Sequence, residues 1–329
     1  MNSDRFMSAA LPEQRAHTPR SMASPSDHLE RAYRLYRKRI ARCRTENQLN
    51  HVHIALANYM TPEELRFFDA ALAQDPVGSP DRRWISKLSC FIPPRESWPA
   101  EFRRKGILKS MTLYAADSGS RAEKTLIIGF TGAFNRMMLP LPLLLGCLNP
   151  TLYDVVVLSD FSRRFFSMGI PGLGVDFFQA LCNLRNHVDP TAYRNCVALG
   201  TSSGGLPAVL GAILLKLNRG VSIGGLDFPQ FAAKLRDLGA SEEPYAALLA
   251  SRPEPFPELL LVFGGGNATD VVAARGLHGR VPSRLVEVKA CDDHVVLRWK
   301  LLRGRLPTFF STLLGQSVET GERIGQAEE

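Results

Sequence analysis

The ten residues CVALGTSSGG at positions 196–205 predict how this 329-residue chain folds around one serine. A short apolar run ends in Gly-x-Ser-x-Gly and passes directly into the segment 206–217, which is rich in alanine and leucine. This pattern predicts a buried strand, a tight turn and a buried helix. Gly200 and Gly204 lie two positions either side of Ser202, where small residues let the helix follow the strand closely.

The turn has the form of a nucleophile elbow, in which a strained backbone exposes a serine hydroxyl. Centring the motif on Ser203 would place Thr201 and Gly205 in the flanking positions, so Ser202 is the better candidate nucleophile. The N–H groups and partial positive charge at the start of the next helix suit an oxyanion. The alternative is a glycine-rich turn that only packs tightly, because three fixed residues in five recur by chance.

The composition predicts a cytoplasmic globular protein. Apolar residues make up 45% of the chain, and the six cysteines are scattered without a Cys-x-x-Cys pair, which favours a reducing compartment. Residues 1–26 contain no apolar run typical of a signal sequence. The longest apolar run, 137–148, is short and interrupted by two prolines, so we expect no transmembrane segment.

Positive charge is concentrated in the N-terminal third. Residues 1–110 hold 19 Lys and Arg against 12 Asp and Glu, whereas residues 111–329 hold 21 against 20. Seven of the basic residues lie within 31–44. They form either the solvated face of an amphipathic helix or a docking site for an acidic partner or an anionic surface. We expect no specific nucleic-acid binding, since neither an aromatic-interleaved basic motif nor a zinc motif accompanies them.

Several segments precede and follow the main domain. Residues 1–26 are polar and are expected to be disordered, and 315–329 form a polar, flexible tail. Residues 27–75 predict a basic helical extension of three short helices. Each helix begins with a capping pair: Asp27 with Glu30, Thr45 with Gln48, and Thr61 with Glu64. Residues 76–109, rich in Pro, Ser, Trp and Arg, predict a linker.

Residues 110–314 alternate strands with helices, which predicts a mostly parallel sheet flanked by helices. The expected strands cover 110–115, 125–130, 153–158, 196–199, 221–226, 258–263 and 284–288. Residues 230–257 predict a small helical cap, and 295–314 a closing helix. The small-residue loop 129–133 follows a buried strand and exposes backbone N–H groups.

Three side chains, each just after a predicted strand, occur in the order Ser202, Asp270, His294. A histidine can take the proton of a serine hydroxyl and return it, while a carboxylate fixes the ring tautomer. The order serine, acid, histidine therefore predicts a nucleophilic site.

Three other aspartates compete for the acid role. Asp227 follows an earlier strand, whereas Asp292 and Asp293 lie too close to His294 in sequence to reach easily beneath its Nδ1. We therefore expect Asp270 to be the acid and keep Asp227 as the main alternative.

Residues 110–314 resemble the α/β-hydrolase superfamily, and 153–205 resemble uncharacterised bacterial hydrolases with helical extensions. The resemblance is carried by the motif 200–204, the loop 129–132, the Asp270 loop and the turn at 293–294. It implies an α/β-hydrolase fold and an oxyanion hole built from the N–H of Ser203 and that of Phe130 or Thr131. The chain departs from the family at Ile128, where many members have histidine, and at Ser203, where many have a bulkier residue.

The expected function is cleavage of a carboxylic ester or thioester by a serine hydrolase through an acyl-enzyme. The alternatives are an acyltransferase that uses the same three residues and a non-catalytic hydrolase-fold scaffold or binding protein. The substrate would be a small or acylated molecule, in a pocket lined by Met137, Met138, Phe165, Phe166 and the 230–257 insertion. We expect no cofactor and no metal, because the sequence has no metal cluster, P-loop or flavin motif.

Overall fold

The computed structural model of the protein describes residues 25–315, so most of the tail predicted for 1–26 and nearly all of that predicted for 315–329 lie outside the described residues. The chain divides into two compact units, Met1–Arg42 and Cys43–Glu329. In the first, helix α1 spans Pro25–Ile40. Asp27 therefore lies in the first turn and not at the N-cap, because the helix begins two residues earlier, at a proline that its first turn tolerates.

The second unit starts with three helices, α2 Glu46–Ala57, α3 Pro62–Leu72 and α4 Pro80–Ser89. The caps expected at Thr45 and Thr61 are both present, and Thr61 forms a complete capping box with Glu64. The segment expected to be a linker, 76–109, instead contains α4 and strand β1, Arg103–Leu108. Ser79 caps α4 and a proline occupies its first turn, a start signal within the Pro-rich composition.

Eight strands form one sheet in the order β1-β2-β4-β3-β5-β6-β7-β8. The strands after β1 are β2 Met111–Ala115, β3 Thr125–Phe130, β4 Tyr153–Leu158, β5 Asn195–Thr201, β6 Arg219–Ile223, β7 Glu258–Gly264 and β8 Arg284–Val288. β2 pairs antiparallel with β1 and β4, and every other pairing is parallel. The mostly parallel sheet predicted from the sequence is confirmed, and all residues of β3 and β4 are buried, as expected for strands covered on both faces.

Helices cover both faces of the sheet, each over its own apolar core. One face packs against α6 Phe177–Leu184, α7 Gly205–Leu215, α8 Phe228–Asp237, α9 Glu243–Ala250 and α10 Ala268–His278. The other packs against α5 Leu141–Gly146, α11 Val296–Leu302 and α12 Leu306–Leu313. The single closing helix expected over 295–314 is two helices, because Gly304 between them adopts the left-handed conformation.

The insertion at 230–257 belongs to the main core. Phe231 and Leu235 of α8, and Tyr245 and Leu249 of α9, are buried in the same cluster as α6 and α7. Within the described part of the chain, no helix is long and apolar enough to cross a membrane.

Candidate active site

Ser202 lies on a sharp turn between the end of β5 and the start of α7. Residues Ser202–Gly204 form a 3-10 turn, and Ser202 itself has φ 52°, in the left-handed region that residues with a Cβ disfavour. Such a conformation costs on the order of 1–3 kcal/mol and persists only where the surroundings hold it.

Gly200 and Gly204 make this turn sterically feasible. A Cβ at Gly200 would clash with the carbonyl of Gly204 and lie 2.7 Å from Ala208 Cβ. A Cβ at Gly204 would lie 2.6 Å from the carbonyl oxygen of Thr131. Positions 200 and 204 therefore require glycine, because the start of α7 in one case and the backbone of residues 130–131 in the other leave no room for a side chain.

The structure brings together the three side chains predicted for the site. His294 Nε2 lies 3.0 Å from Ser202 Oγ, and His294 Nδ1 lies 2.9 and 3.1 Å from the two carboxylate oxygens of Asp270. Asp270 is in the first turn of α10, after β7, and His294 follows β8. This geometry fits a tautomer in which Nδ1–H donates to Asp270 and Nε2 accepts from the Ser202 hydroxyl.

Burial differs sharply along this hydrogen-bonded chain. The Asp270 side chain is only 6% exposed, whereas that of His294 is 44% exposed, so the imidazole can meet a substrate while the carboxylate behind it cannot. The hydrogen bond from the ring to Asp270 raises the pKa of His294, and partial burial opposes that rise.

Two of the three competing aspartates, Asp227 and Asp293, have other partners. Asp227 caps α8 by accepting from the Gln230 N–H at 2.9 Å. Asp293 accepts from the Val295 N–H at 2.9 Å and pairs with Arg298, and the Val295 hydrogen bond lowers its pKa. Both carboxylate contacts of the His294 ring are made by Asp270.

The predicted oxyanion donors differ in whether their backbone N–H groups are already used. Ser203 lies in the 3-10 turn Ser202–Gly204 that leads into α7, and the N–H groups at the start of such a turn have no acceptor within it. The Thr131 N–H donates to the Leu158 carbonyl at 3.2 Å, so the sheet already uses it. The backbone of Phe130 takes part in the pairing of β3 with both β4 and β5, which argues against its N–H as an oxyanion donor.

A different part of the same loop offers unused donors. The N–H groups of Gly132 and Asn135 donate within the loop, whereas those of Ala133 and Phe134 have no acceptor among residues 25–315. The loop passes close to the serine, since a Cβ at Gly132 would lie 3.3 Å from Ser202 Cβ. Ala133 was not predicted as a donor from the sequence, although it is the last residue of the small-residue loop 129–133.

Three of the four apolar residues predicted to line the pocket pack elsewhere. Phe166 is buried edge-on against Phe130, Phe165 packs edge-on against Phe231, and Met137 is buried in the core beside α5. Phe166 and Met137 are therefore core residues, and Phe165 is a partly buried residue that packs against the core.

Met138 lies beside His294, and Phe134 is an exposed side chain of the loop that follows β3. A Cβ at Gly224 would lie 2.9 Å from Met138 Cε and 3.1 Å from His294 Cε1, so the Met138 thioether is beside the His294 imidazole. Phe134 is 70% exposed and lies under the guanidinium of Arg163, 5.8 Å from the ring centre. The Met138 side chain thus provides apolar surface beside His294.

The sheet order, the serine at a strand-to-helix turn and the chain order Ser, Asp, His define an α/β-hydrolase fold. No protein-family model matches the chain, and no curated protein matches it. Solved structures are similar to it in fold, at low sequence identity.

An esterase from the bacterial hormone-sensitive lipase family is 17% identical, with a TM-score of 0.43, over 88% of this chain and 99% of that one. S-formylglutathione hydrolase (FrmB) from Staphylococcus aureus is 15% identical, with a TM-score of 0.44, over 66% of this chain and 98% of its own. Dienelactone hydrolase from Anabaena variabilis is 15% identical, with a TM-score of 0.43, over 64% and 96%.

Proposed function

We propose that the protein is a serine hydrolase that cleaves a carboxylic ester or thioester through an acyl-enzyme. The observation that carries this proposal is the continuous hydrogen-bonded chain from Ser202 Oγ through the His294 ring to Asp270. A scaffold protein has no need for a strained serine, an exposed imidazole and a buried carboxylate in one line.

Each residue has one task in the reaction. Ser202 Oγ attacks the substrate carbonyl carbon while His294 Nε2 takes the hydroxyl proton, and Asp270 stabilises the imidazolium that results. The tetrahedral intermediate expels the alcohol or thiol, which receives that proton from His294. A water molecule then attacks the acyl-serine, gives its proton to His294, and releases the acid as Ser202 recovers its hydrogen.

The oxyanion would be held by the backbone N–H groups of Ser203 and Ala133. Ala133 replaces Phe130 and Thr131 in this role because its N–H is unused, whereas the Thr131 N–H donates to Leu158. A preorganised donor aimed at the developing charge contributes on the order of 3 kcal/mol. Met138 beside His294, together with the exposed Phe134 in the loop after β3, favours an apolar acyl group in a small or acylated substrate.

The test is hydrolysis of p-nitrophenyl esters and acyl-CoA thioesters of increasing chain length. We expect Ser202→Ala to lose at least about 1,000-fold in kcat. Ser203→Ala is the matched control, because it removes the neighbouring hydroxyl and keeps the backbone N–H, so its kcat stays within about threefold. Turnover by Ser202→Ala at the wild-type rate, or a wild type inert to the whole panel, contradicts the proposal.

A further inference from the structure

Asn58 links the end of α2 to the loop beside Ser202. It is the C-cap residue of α2, and its side-chain amide donates to the Phe134 carbonyl at 3.1 Å. Its Oδ1 accepts from Arg136 Nε, also at 3.1 Å. One side chain therefore holds the loop 131–136 at two points across 76 and 78 residues of sequence.

The same loop is joined to the strand that carries the serine. The Arg136 carbonyl accepts from the Gly132 N–H at 2.8 Å and from Thr201 Oγ1 at 3.3 Å. Thr201 is fully buried and immediately precedes Ser202. Asn58, Arg136 and Thr201 thus form a chain of contacts from α2 to the turn at the serine.

The loop backbone depends on such external contacts. Asn135 in the loop has φ 53°, and Met138 just after it has φ 61°, conformations that residues with side chains adopt only when neighbouring groups hold them. Burial lowers the pKa of Arg136, so the amide of Asn58 is an important partner for this half-buried guanidinium. Removing Asn58 would release both the loop carbonyl and the arginine.

We propose that Asn58 is a positioning residue for the hydrolase: it fixes the 131–136 loop so that the Ala133 N–H faces the oxyanion formed at Ser202. The inference rests on the proposed function and extends it to the helical extension, because α2 then contributes to the site through its C-cap residue. The fixed loop keeps a donor in place before the reaction, which is the condition under which such a donor accelerates it.

The experiment compares Asn58→Ala with Asn50→Ala, which removes the same kind of side chain from an exposed position on the same helix. Two quantities are measured: amide hydrogen exchange of peptides covering 129–138, and kcat and KM for a p-nitrophenyl ester. In Asn58→Ala we expect exchange in this loop to be at least about tenfold faster. We expect kcat to fall about 10-fold to 100-fold with KM within twofold, because the donor acts mainly in the transition state.

Asn58→Asp separates the two contacts. It keeps an acceptor for Arg136 but lacks the donor to the Phe134 carbonyl, so we expect kcat and exchange between those of wild type and Asn58→Ala. Asn50→Ala should match the wild type in both measurements.

The outcomes distinguish this inference from the proposed function. An active wild type whose kcat and loop exchange survive Asn58→Ala overturns the positioning role and leaves the hydrolase intact. An inactive wild type contradicts the proposed function, and faster loop exchange in Asn58→Ala would then support only the structural link, so the positioning role falls with the activity.

Discussion

His294 Nδ1 lies 2.9 Å from Asp270 Oδ1, which joins the loop after β8 to the first turn of α10. β7 and β8 are parallel neighbours, so the segments that follow them leave the same edge of the sheet. The carboxylate is buried and the ring is not, so the orientation of the imidazole depends on this one acid.

Asp270→Asn should lower kcat by about 100-fold to 10,000-fold, because an amide no longer fixes the Nδ1–H tautomer or stabilises the imidazolium. The fold should persist, since asparagine has nearly the same shape. Steady-state kinetics on the folded variant measure the effect. Asp227→Asn is the matched control, because Asp227 caps α8 and lies outside the hydrogen-bonded chain, so its kcat should stay within about threefold. Equal losses in the two variants would contradict the assignment of the acid.

The pH dependence follows from the raised pKa of His294. Only the neutral ring can act as the base, so kcat/KM should rise with pH through a midpoint above the ordinary histidine value of about 6.5. Asp270→Asn removes the main cause of the rise and should move the midpoint to lower pH. A pH–rate profile of both proteins measures this, and a wild-type midpoint below 6, or one that Asp270→Asn does not move, would count against the account.

The raised pKa of His294 also makes the stability of the fold depend on pH. A folded-state pKa above the unfolded one means that the protonated ring stabilises the fold. That contribution is complete below the unfolded pKa and is lost as the pH rises through the folded one.

Gly204→Ala should destabilise the protein by about 1–3 kcal/mol or more and abolish turnover, because the new Cβ meets the backbone of β3, which cannot move aside. Urea unfolding measures the cost. Gly78→Ala is the control: a Cβ there meets no atom within 4 Å in the described chain, so it should be neutral or slightly stabilising. Equal stability of the two variants would show that the turn is looser than described.

Lys124 and Asp154 form a buried ion pair at the amino ends of β3 and β4. Their side chains are 2% and 3% exposed, Lys124 Nζ lies 2.9 Å from Asp154 Oδ1, and Tyr193 donates to the other carboxylate oxygen. Asp154→Leu should cost about 3–5 kcal/mol because it leaves a buried ammonium group unpaired. The double variant Lys124→Met with Asp154→Leu should cost less than Asp154→Leu alone, as urea unfolding would show; a larger cost contradicts this explanation.

Local patterns were sufficient to predict most of the sheet and the three side chains that meet at its edge. Gly-x-Ser-x-Gly, and acidic and histidine residues just after strands, are short-range features, and parallel strands bring their carboxyl ends together whatever the intervening sequence. Ser202, Asp270 and His294 are therefore placed together by topology alone.

Features that depend on long-range contacts could not be predicted. Whether Thr131 or Ala133 has a free N–H depends on Leu158, a residue of the neighbouring strand. Phe166 has the composition of a pocket residue, yet its burial against Phe130 is a property of the packed core. The link from Asn58 to the loop crosses 76 residues, and no pattern near Asn58 indicates it.

The most direct test of the central claim is the site of covalent labelling by a fluorophosphonate. Intact mass and peptide mapping should show one adduct, on Ser202 and not on Ser203, with no adduct on Ser202→Ala and much slower labelling of Asp270→Asn. An unlabelled wild type, or an adduct that persists in Ser202→Ala, would contradict the claim that this serine is the nucleophile.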